Sequence, residues 1–359
     1  MRAASDRAGG GRALHAIAVA YTVFTVLVFG LWLVVGDTPW TTVVNLATFW
    51  WLAPSLLLLV IALFARNGRA AAWLVVPSLL LLWAYGTAFT ASPVDADHDL
   101  RVASFNTFVH AQGEQHVLDL VDVVDPDVLV LQEVFPPREE QLASVLADVL
   151  PHHHVEQSEG VGGVGVWSRY PITDVSLVDE ASEVSRTTFV VTLDVDGRPL
   201  QVVPAHLISP CPTCGTSVVE RLELEGEVRR AEIGNVLDAL DPGVPTVVAG
   251  DLNSNERSVA YRRLTRAGFR DPQREVGEGM GFTWPADRRL PAFVRIDWIL
   301  VRDLEPVAAW VGDAGASDHR PVIVDLVFDR PADPAGFSPR ADQTELLPEA
   351  HQTELLPEA

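Results

Sequence analysis

The stretch PTVVAGDLNSN at positions 245–255 sets a carboxylate, Asp251, two residues from a carboxamide, Asn253, where a short β-branched run stops abruptly. Matching groups recur along the chain. Asn106 closes LRVASFN, Glu133 closes VLVLQE, and His206 follows the apolar run LQVVPA. Asp297 stands near the start of RIDWILV, and Asp318 and His319 lead through Arg320-Pro321 into VIVDLVF. Each has an ordinary alternative: Gly-Asp and Asn-Ser make turns, Asn106 can cap a turn, Glu133 a helix, and His206 can be a core histidine. Together they form a complementary set of carboxylates for a hard cation, carboxamides that orient, and histidines that donate protons.

The elements that must position these groups read as strands and helices in alternation. VLVLQE is apolar on both faces, the pattern of a strand in the centre of a sheet. Residues 189–195 and 200–205 flank Asp196-Gly197, a hairpin signal. Helical spacing marks residues 114–124, 138–149, 217–240 and 258–267, while 164–167 reads as a further strand and 282–285 as a loop. Asn106, Glu133, His206 and Asp251 stand at strand ends, whereas Asp297 and Asp318 stand at strand starts. If all of them meet at one rim, the last two strands run opposite to the others, and the sheet is mixed with helices outside it.

The first 94 residues are different in kind. They hold five arginines against Asp6 and Asp37, a net charge of +3 in a chain whose total is −22, which leaves −25 on the remainder. Residues 13–35, 43–65 and 70–91 are free of Asp, Glu and Arg, and each exceeds the roughly 20 residues that cross a bilayer. Tryptophans lie mostly towards the ends of these runs, where indoles favour the headgroup region. Three transmembrane helices are therefore expected in a membrane domain at 1–91. A cleaved signal peptide fits poorly, because further apolar runs follow the first. Arg2, Arg7 and Arg12 before the first run, and Arg66 and Arg69 between the second and third, put the N-terminus in the cytoplasm and everything after residue 91 outside it.

A polar linker at 92–99 then leads into a globular part at 100–329, and a Pro-, Asp- and Glu-rich tail at 330–359 ends in the tandem repeat QTELLPEA, read as disordered. The acidic balance of the globular part repels polyanions, so nucleic acid is a disfavoured partner unless an arginine patch or metal ions offset the field. Cys211 and Cys214 are the two cysteines. Half a zinc site is one reading of their spacing, but no second pair completes it; a local disulfide is the blander reading outside the cytoplasm.

Phe105-Asn106, LQE at 131–133, SRYPI at 168–172, His206-Leu207, GDLN at 250–253, FTW at 282–284, IDWIL at 296–300 and SDHRPV at 317–322 occur in an order and spacing that resembles the endonuclease/exonuclease/phosphatase superfamily. The resemblance spans about residues 100–328, and its multi-span, extracytoplasmic form is similar to a bacterial subgroup that includes the teicoplanin-resistance protein. It implies a DNase I-like four-layer α/β sandwich of two mixed β-sheets and hydrolysis of a phosphate ester or pyrophosphate. By the same resemblance Glu133 is the principal Mg²⁺ ligand (Mn²⁺ being the alternative), with Asn106 and Asp318 beside it. Asp251 activates the water, Asn253 positions phosphate or water, Asp297 fixes the tautomer of His319, and His319 and His206 face the phosphate, His206 as a candidate leaving-group acid. Arg169 either contacts phosphate or makes a surface ion pair. A lipid-linked phosphate or pyrophosphate in the bilayer is the substrate class that these expectations favour; a phospholipid, DNA and a non-catalytic phosphate-binding role are the alternatives.

Overall fold

The computed structural model describes residues 2–35, 39–111, 113–158, 162–180, 185–209, 217–286 and 291–328. The cysteine pair and the repeated tail lie outside them. Residues up to Phe328 form one compact unit.

The chain begins with helix α1 (Arg2–Val35), then α2 (Pro39–Leu46), α3 (Thr48–Leu52), α4 (Pro54–Phe64) and α5 (Gly68–Tyr85). Two helical stretches, Gly10–Trp32 and Gly68–Phe89, are long and apolar enough to cross a membrane. The expectation of three is corrected in the middle. There the helix breaks at Ala47 and is interrupted again at Ala53, ahead of Pro54, which has no N–H to continue the preceding ladder. The apolar stretch that remains, Thr48–Phe64, is shorter, about 25 Å at the usual helical rise against a hydrocarbon core of about 30 Å.

Helices α1 and α5 run in the same direction. Asn67 donates to the Gly11 carbonyl at one end, Thr22 to that of Trp73 midway, and the Phe29 and Trp83 rings meet 6.3 Å apart near the other. That second end abuts the rest of the molecule, where Trp32 Nε1 donates to the Arg257 carbonyl and Trp50 Nε1 to that of Phe293.

The remainder alternates strands and helices: β1 (Leu100–Asn106), α6 (Gln115–Val124), β2 (Val128–Val134), α7 (Pro136–Val145), β3 (His152–Glu156), β4 (Gly163–Ser168), β5 (Ile172–Leu177), β6 (Phe189–Val195), β7 (Arg198–His206), α8 (Val218–Ala239), β8 (Thr246–Asp251), α9 (Val259–Arg266), α10 (Pro272–Glu275), β9 (Asp297–Arg302), β10 (Leu304–Val311) and β11 (Val322–Phe328). One sheet has the order β10-β11-β1-β2-β4-β3, the other β5-β6-β7-β8-β9. Their inner faces share a core that includes Val102, Val130, Val191, Val202, Val247, Ile299 and Val324. Outside the first sheet α6 and α7 bury Leu120, Val121 and Leu142 against Phe105, Leu129 and Leu131. Outside the second, Ile233 and Val236 of α8 and Leu264 of α9 cover Val203, Val248 and Leu300. The four layers match the expectation from sequence.

Both sheets are mixed, and in the same way. Each has a central parallel pair, β1 with β2 and β7 with β8, and each pair is flanked by an antiparallel strand, β11 beside β1 and β9 beside β8. The C-terminal ends of the parallel strands and the N-terminal ends of β9 and β11 therefore share one rim. That is the arrangement which the polar groups at strand ends and starts require.

Candidate active site

Asn106, Glu133, His206 and Asp251 arrive at the rim from β1, β2, β7 and β8, Asp297 opens β9, and Asp318 and His319 lie just ahead of β11. Parallel pairing sets His206 opposite Asp251 and Ala205 opposite Gly250. The backbones approach so closely there that a Cβ on Gly250, whose φ is +148°, would stand 1.8 Å from the Ala205 carbonyl oxygen. Only glycine fits. Glu133 sits on a bulge, where the register against β4 slips between Gln132 and Val134, and holds a left-handed φ of 61°. Bulges re-aim side chains next to active sites, and this one turns Glu133 into the cavity at a local cost of about 1–3 kcal/mol.

Asp251 is the hub. One carboxylate oxygen accepts from the Asn253 N–H at 2.8 Å; the other lies 3.2 Å from Asn106 Nδ2, 3.8 Å from His206 Nε2 and 3.9 Å from His319 Nε2. His319 Nδ1 is 2.9 Å from Asp297, as the tautomer-fixing pair requires. Nε2 then lies 3.9 Å from both Asp251 and Asp318, beyond hydrogen-bond range, so it is not committed to either carboxylate. Glu133 is held by Asn106 Nδ2 at 3.2 Å and by the Val109 N–H at 2.6 Å. Asp318 accepts from Trp284 Nε1 at 3.3 Å.

Charge on these groups follows from burial and neighbours. Burial, then the adjacent Asp297, pushes the Asp251 carboxyl up to about 7, with His319, the Asn253 N–H and Arg186 opposing. Burial pulls His319 down, but Asp297 and Asp251 outweigh it and raise the imidazole to about 10, so that ring is a cation at neutral pH. Burial, Arg186 and His319 together pull His206 well below the ordinary imidazole range.

Two of the expectations drawn from the sequence change. Asn106 is expected among the metal ligands, but its Oδ1 accepts from the Phe108 N–H, which turns the amide nitrogen towards Glu133 and Asp251. It is a clamp on two carboxylates rather than a ligand. His206, expected to face the phosphate as a candidate leaving-group acid, lines the same cavity, with Nε2 beside Arg186 and 3.8 Å from Asp251. Arg169 stands past the end of β4 at the opposite rim, 43% exposed and paired with Asp125 at 2.7 Å and Asp127 at 3.4 Å, so it does not reach the site.

Other contributors carry no motif that would single them out in the sequence. Arg186 brings a guanidinium into the cavity from just before β6. Arg138, at the start of α7, ties down the loop behind Glu133 through Thr107 Oγ1 and the Ala111 carbonyl, both at 2.7 Å. Leu46 of α2 and Trp284, Val294 and Ile296 add an apolar wall to the cavity of about 440 Å³ that also holds Glu133, Asp251 and His319. No local pattern marks Arg186 or Leu46, since both act through contacts distant in sequence.

The donor set fits a divalent metal. Glu133 and Asp318 are carboxylates open to the cavity, with side chains 17% and 20% exposed, and a hard cation takes oxygen ligands. Burial raises Asp251 most and the neighbouring Asp297 adds to it; a cation would offset that charge. Asp251, Asp297 and His319 themselves bring ligand atoms within 4.8 Å of one another, but His319 Nδ1 is already committed to Asp297.

Two mixed sheets with this rim define a DNase I-like hydrolase fold, and the comparisons with known proteins agree. The model of the endonuclease/exonuclease/phosphatase family matches residues 103–319. The chain belongs to that family, whose members hydrolyse phosphate esters. Among curated proteins none matches. Similar solved structures include an endonuclease/exonuclease/phosphatase from Beutenbergia cavernae DSM 12333, with TM-score 0.50 and 24% identity over 65% of this chain and 72% of that one. Another is a functionally unknown conserved protein from Enterococcus faecalis V583, with TM-score 0.51 and 16% identity over 64% and 100%. A third, an endonuclease/exonuclease/phosphatase from Bacteroides vulgatus, has TM-score 0.50 and 18% identity over 64% and 99%. At these identities the likeness is one of fold.

Proposed function

We propose that this protein is a membrane-anchored, Mg²⁺-dependent phosphohydrolase whose site faces away from the cytoplasm and acts on a lipid-linked phosphate or pyrophosphate of the cell envelope. One observation carries the reading. Leu46, from the apolar N-terminal helices, lines the same cavity as Glu133, Asp251 and His319, so a phosphate can be bound while an apolar tail stays beside those helices. Orientation is supported by exposed Arg12, Arg66 and Arg69, which gather at the end of the helices remote from the sandwich, as the positive-inside rule associates with the cytoplasmic side.

In this chemistry Asp251 takes a proton from the attacking water, its pKa matched to neutral pH. Cationic His319 donates from Nε2 to a phosphoryl oxygen, held in place by Asp297, and Arg186 adds a second positive charge. Asn253 orients the water or phosphate; its own Nδ2 is steadied by the Leu207 carbonyl at 2.9 Å. A divalent ion on Glu133 and Asp318 would neutralise the phosphoryl oxygens and the leaving oxygen.

The test offers the full-length protein in detergent with Mg²⁺ three substrates in parallel: a polyprenyl pyrophosphate, a phospholipid and plasmid DNA. Release of inorganic phosphate from the polyprenyl substrate is expected. Nicking of DNA at low enzyme with no lipid hydrolysis would overturn the substrate class.

A further inference from the structure

We propose that the N-terminal helices do more than anchor: they position the catalytic loop, with Arg257 as the main positioning residue. The proposal rests on the hydrolytic reading of Asp251 but on no particular substrate.

The loop that leaves β8 carries Asp251 and Asn253 and then runs straight into the helices. Three consecutive residues, beginning two positions beyond Asn253, are each held by a different one of them. Asn255 Nδ2 donates to the Asn45 carbonyl on α2. Glu256 accepts from the Tyr85 hydroxyl at the end of α5. The Arg257 carbonyl accepts from Trp32 Nε1 of α1 at 2.8 Å. The Arg257 guanidinium is itself packed among three rings, 4.8 Å from Phe29, 4.9 Å from Trp32 and 5.5 Å from Trp83, and the residue is only 6% exposed. Cation–π contacts out of water are stronger than exposed ones. The cage joins α1 and α5 to one side chain of the loop.

A second loop of the site is docked in the same way. Phe282 stacks on Trp50 at 6.0 Å and meets Phe49 edge-on at 5.6 Å. Two residues further on, Trp284 holds Asp318. Contacts to the sandwich also fix the first loop, among them Trp298 Nε1 to the Ser254 carbonyl and Arg229 to that of Asn253, both at 2.8 Å. Loss of the cage is therefore expected to loosen the loop without unfolding it. Asp251 and Asn253 must hold near-attack geometry, and small displacements of such groups cost rate steeply.

The experiment uses the full-length protein in detergent with Arg257→Leu, Arg257→Lys and Trp32→Phe, the last of which keeps an aromatic ring, though a smaller one, and removes the indole donor. Hydrogen exchange is read across residues 250–258, together with kcat and KM for bis(p-nitrophenyl) phosphate with Mg²⁺. Arg257→Leu is expected to speed exchange of the loop and lower kcat on the order of 10- to 100-fold with KM within about threefold. Arg257→Lys should recover part of both, and Trp32→Phe should show a smaller change of the same sign. Unchanged exchange would overturn the proposal, and so would loosened exchange with unchanged kcat. If Arg257→Leu does not fold, Trp32→Phe and Arg257→Lys decide by the same criteria. If the wild type does not hydrolyse the probe, a phosphodiester, exchange alone decides whether the helices hold the loop.

Discussion

Asp251 and Asp297 are two buried aspartates with different work, separated by what each touches. Asp297 is committed to His319 Nδ1 at 2.9 Å, whereas Asp251 faces the cavity with its carboxyl raised to about 7. The rate is then expected to fall on the acid side as Asp251 protonates, at or below about pH 7 because a bound cation favours its charged form. On the alkaline side it falls near pH 10 as His319 loses its proton. Asp297 adds to burial in raising Asp251 and is the main group that raises His319 against burial, so Asp297→Asn should move both limbs of kcat/KM to lower pH. A pH–rate profile with limbs unmoved would contradict the pairing. A stability effect follows from the same burial. A carboxyl raised from 3.8 in the unfolded chain to about 7 folded contributes stability below the lower value and loses it as pH rises through the higher one. Asp251→Asn should accordingly raise Tm in metal-free buffer, with a gain that grows between pH 4 and 7 and then levels off. Thermal melts across that range check it.

At the scale of elements, the site depends on two backbone irregularities, the bulge that turns Glu133 inwards and the close approach at Gly250. Gly250→Ala puts a methyl group into the Ala205 carbonyl, and a loss of more than about 2 kcal/mol is expected, read as lower Tm and lower yield of folded protein. Interior strands are legible in the sequence because burial on both faces leaves continuous apolar runs, as in β2 and β8. The strands that are not legible there, β3, β5 and β10, are all sheet edges. Edge strands face water along one side, and their sequences follow suit: HHHVE in β3, ITDVSL in β5 and the bulge at Pro306 in β10. The site is readable for a related reason. Its groups terminate strands that are themselves readable, and the reversed direction of β9 and β11 follows from where Asp297 and Asp318 fall. Arg186 escapes because it lies in irregular chain ahead of β6, and Arg169 misleads because a motif position says nothing of which rim its strand end occupies.

Across the whole molecule, an apolar N-terminal quarter and a strongly acidic remainder meet at the aromatic contacts of Trp32, Trp50 and Phe282. On the proposed function, the acidic field would work against long polyanions and leave a small phosphate, screened by metal, as the better match. Topology is open to a direct check: a reporter active only outside the cytoplasm, fused after Ala91, should be active, and activity of a cytoplasmic reporter at the same place would reverse the orientation. The most direct test of the central claim is phosphate release from a polyprenyl pyrophosphate by the full-length protein, with wild type and Asp251→Asn compared in Mg²⁺ and in EDTA. Wild type should turn over only with the metal, and Asp251→Asn should be slower by about 10²- to 10⁴-fold. Turnover by Asp251→Asn within threefold of wild type, or turnover that persists in EDTA, would contradict a metal-dependent hydrolase built on Asp251.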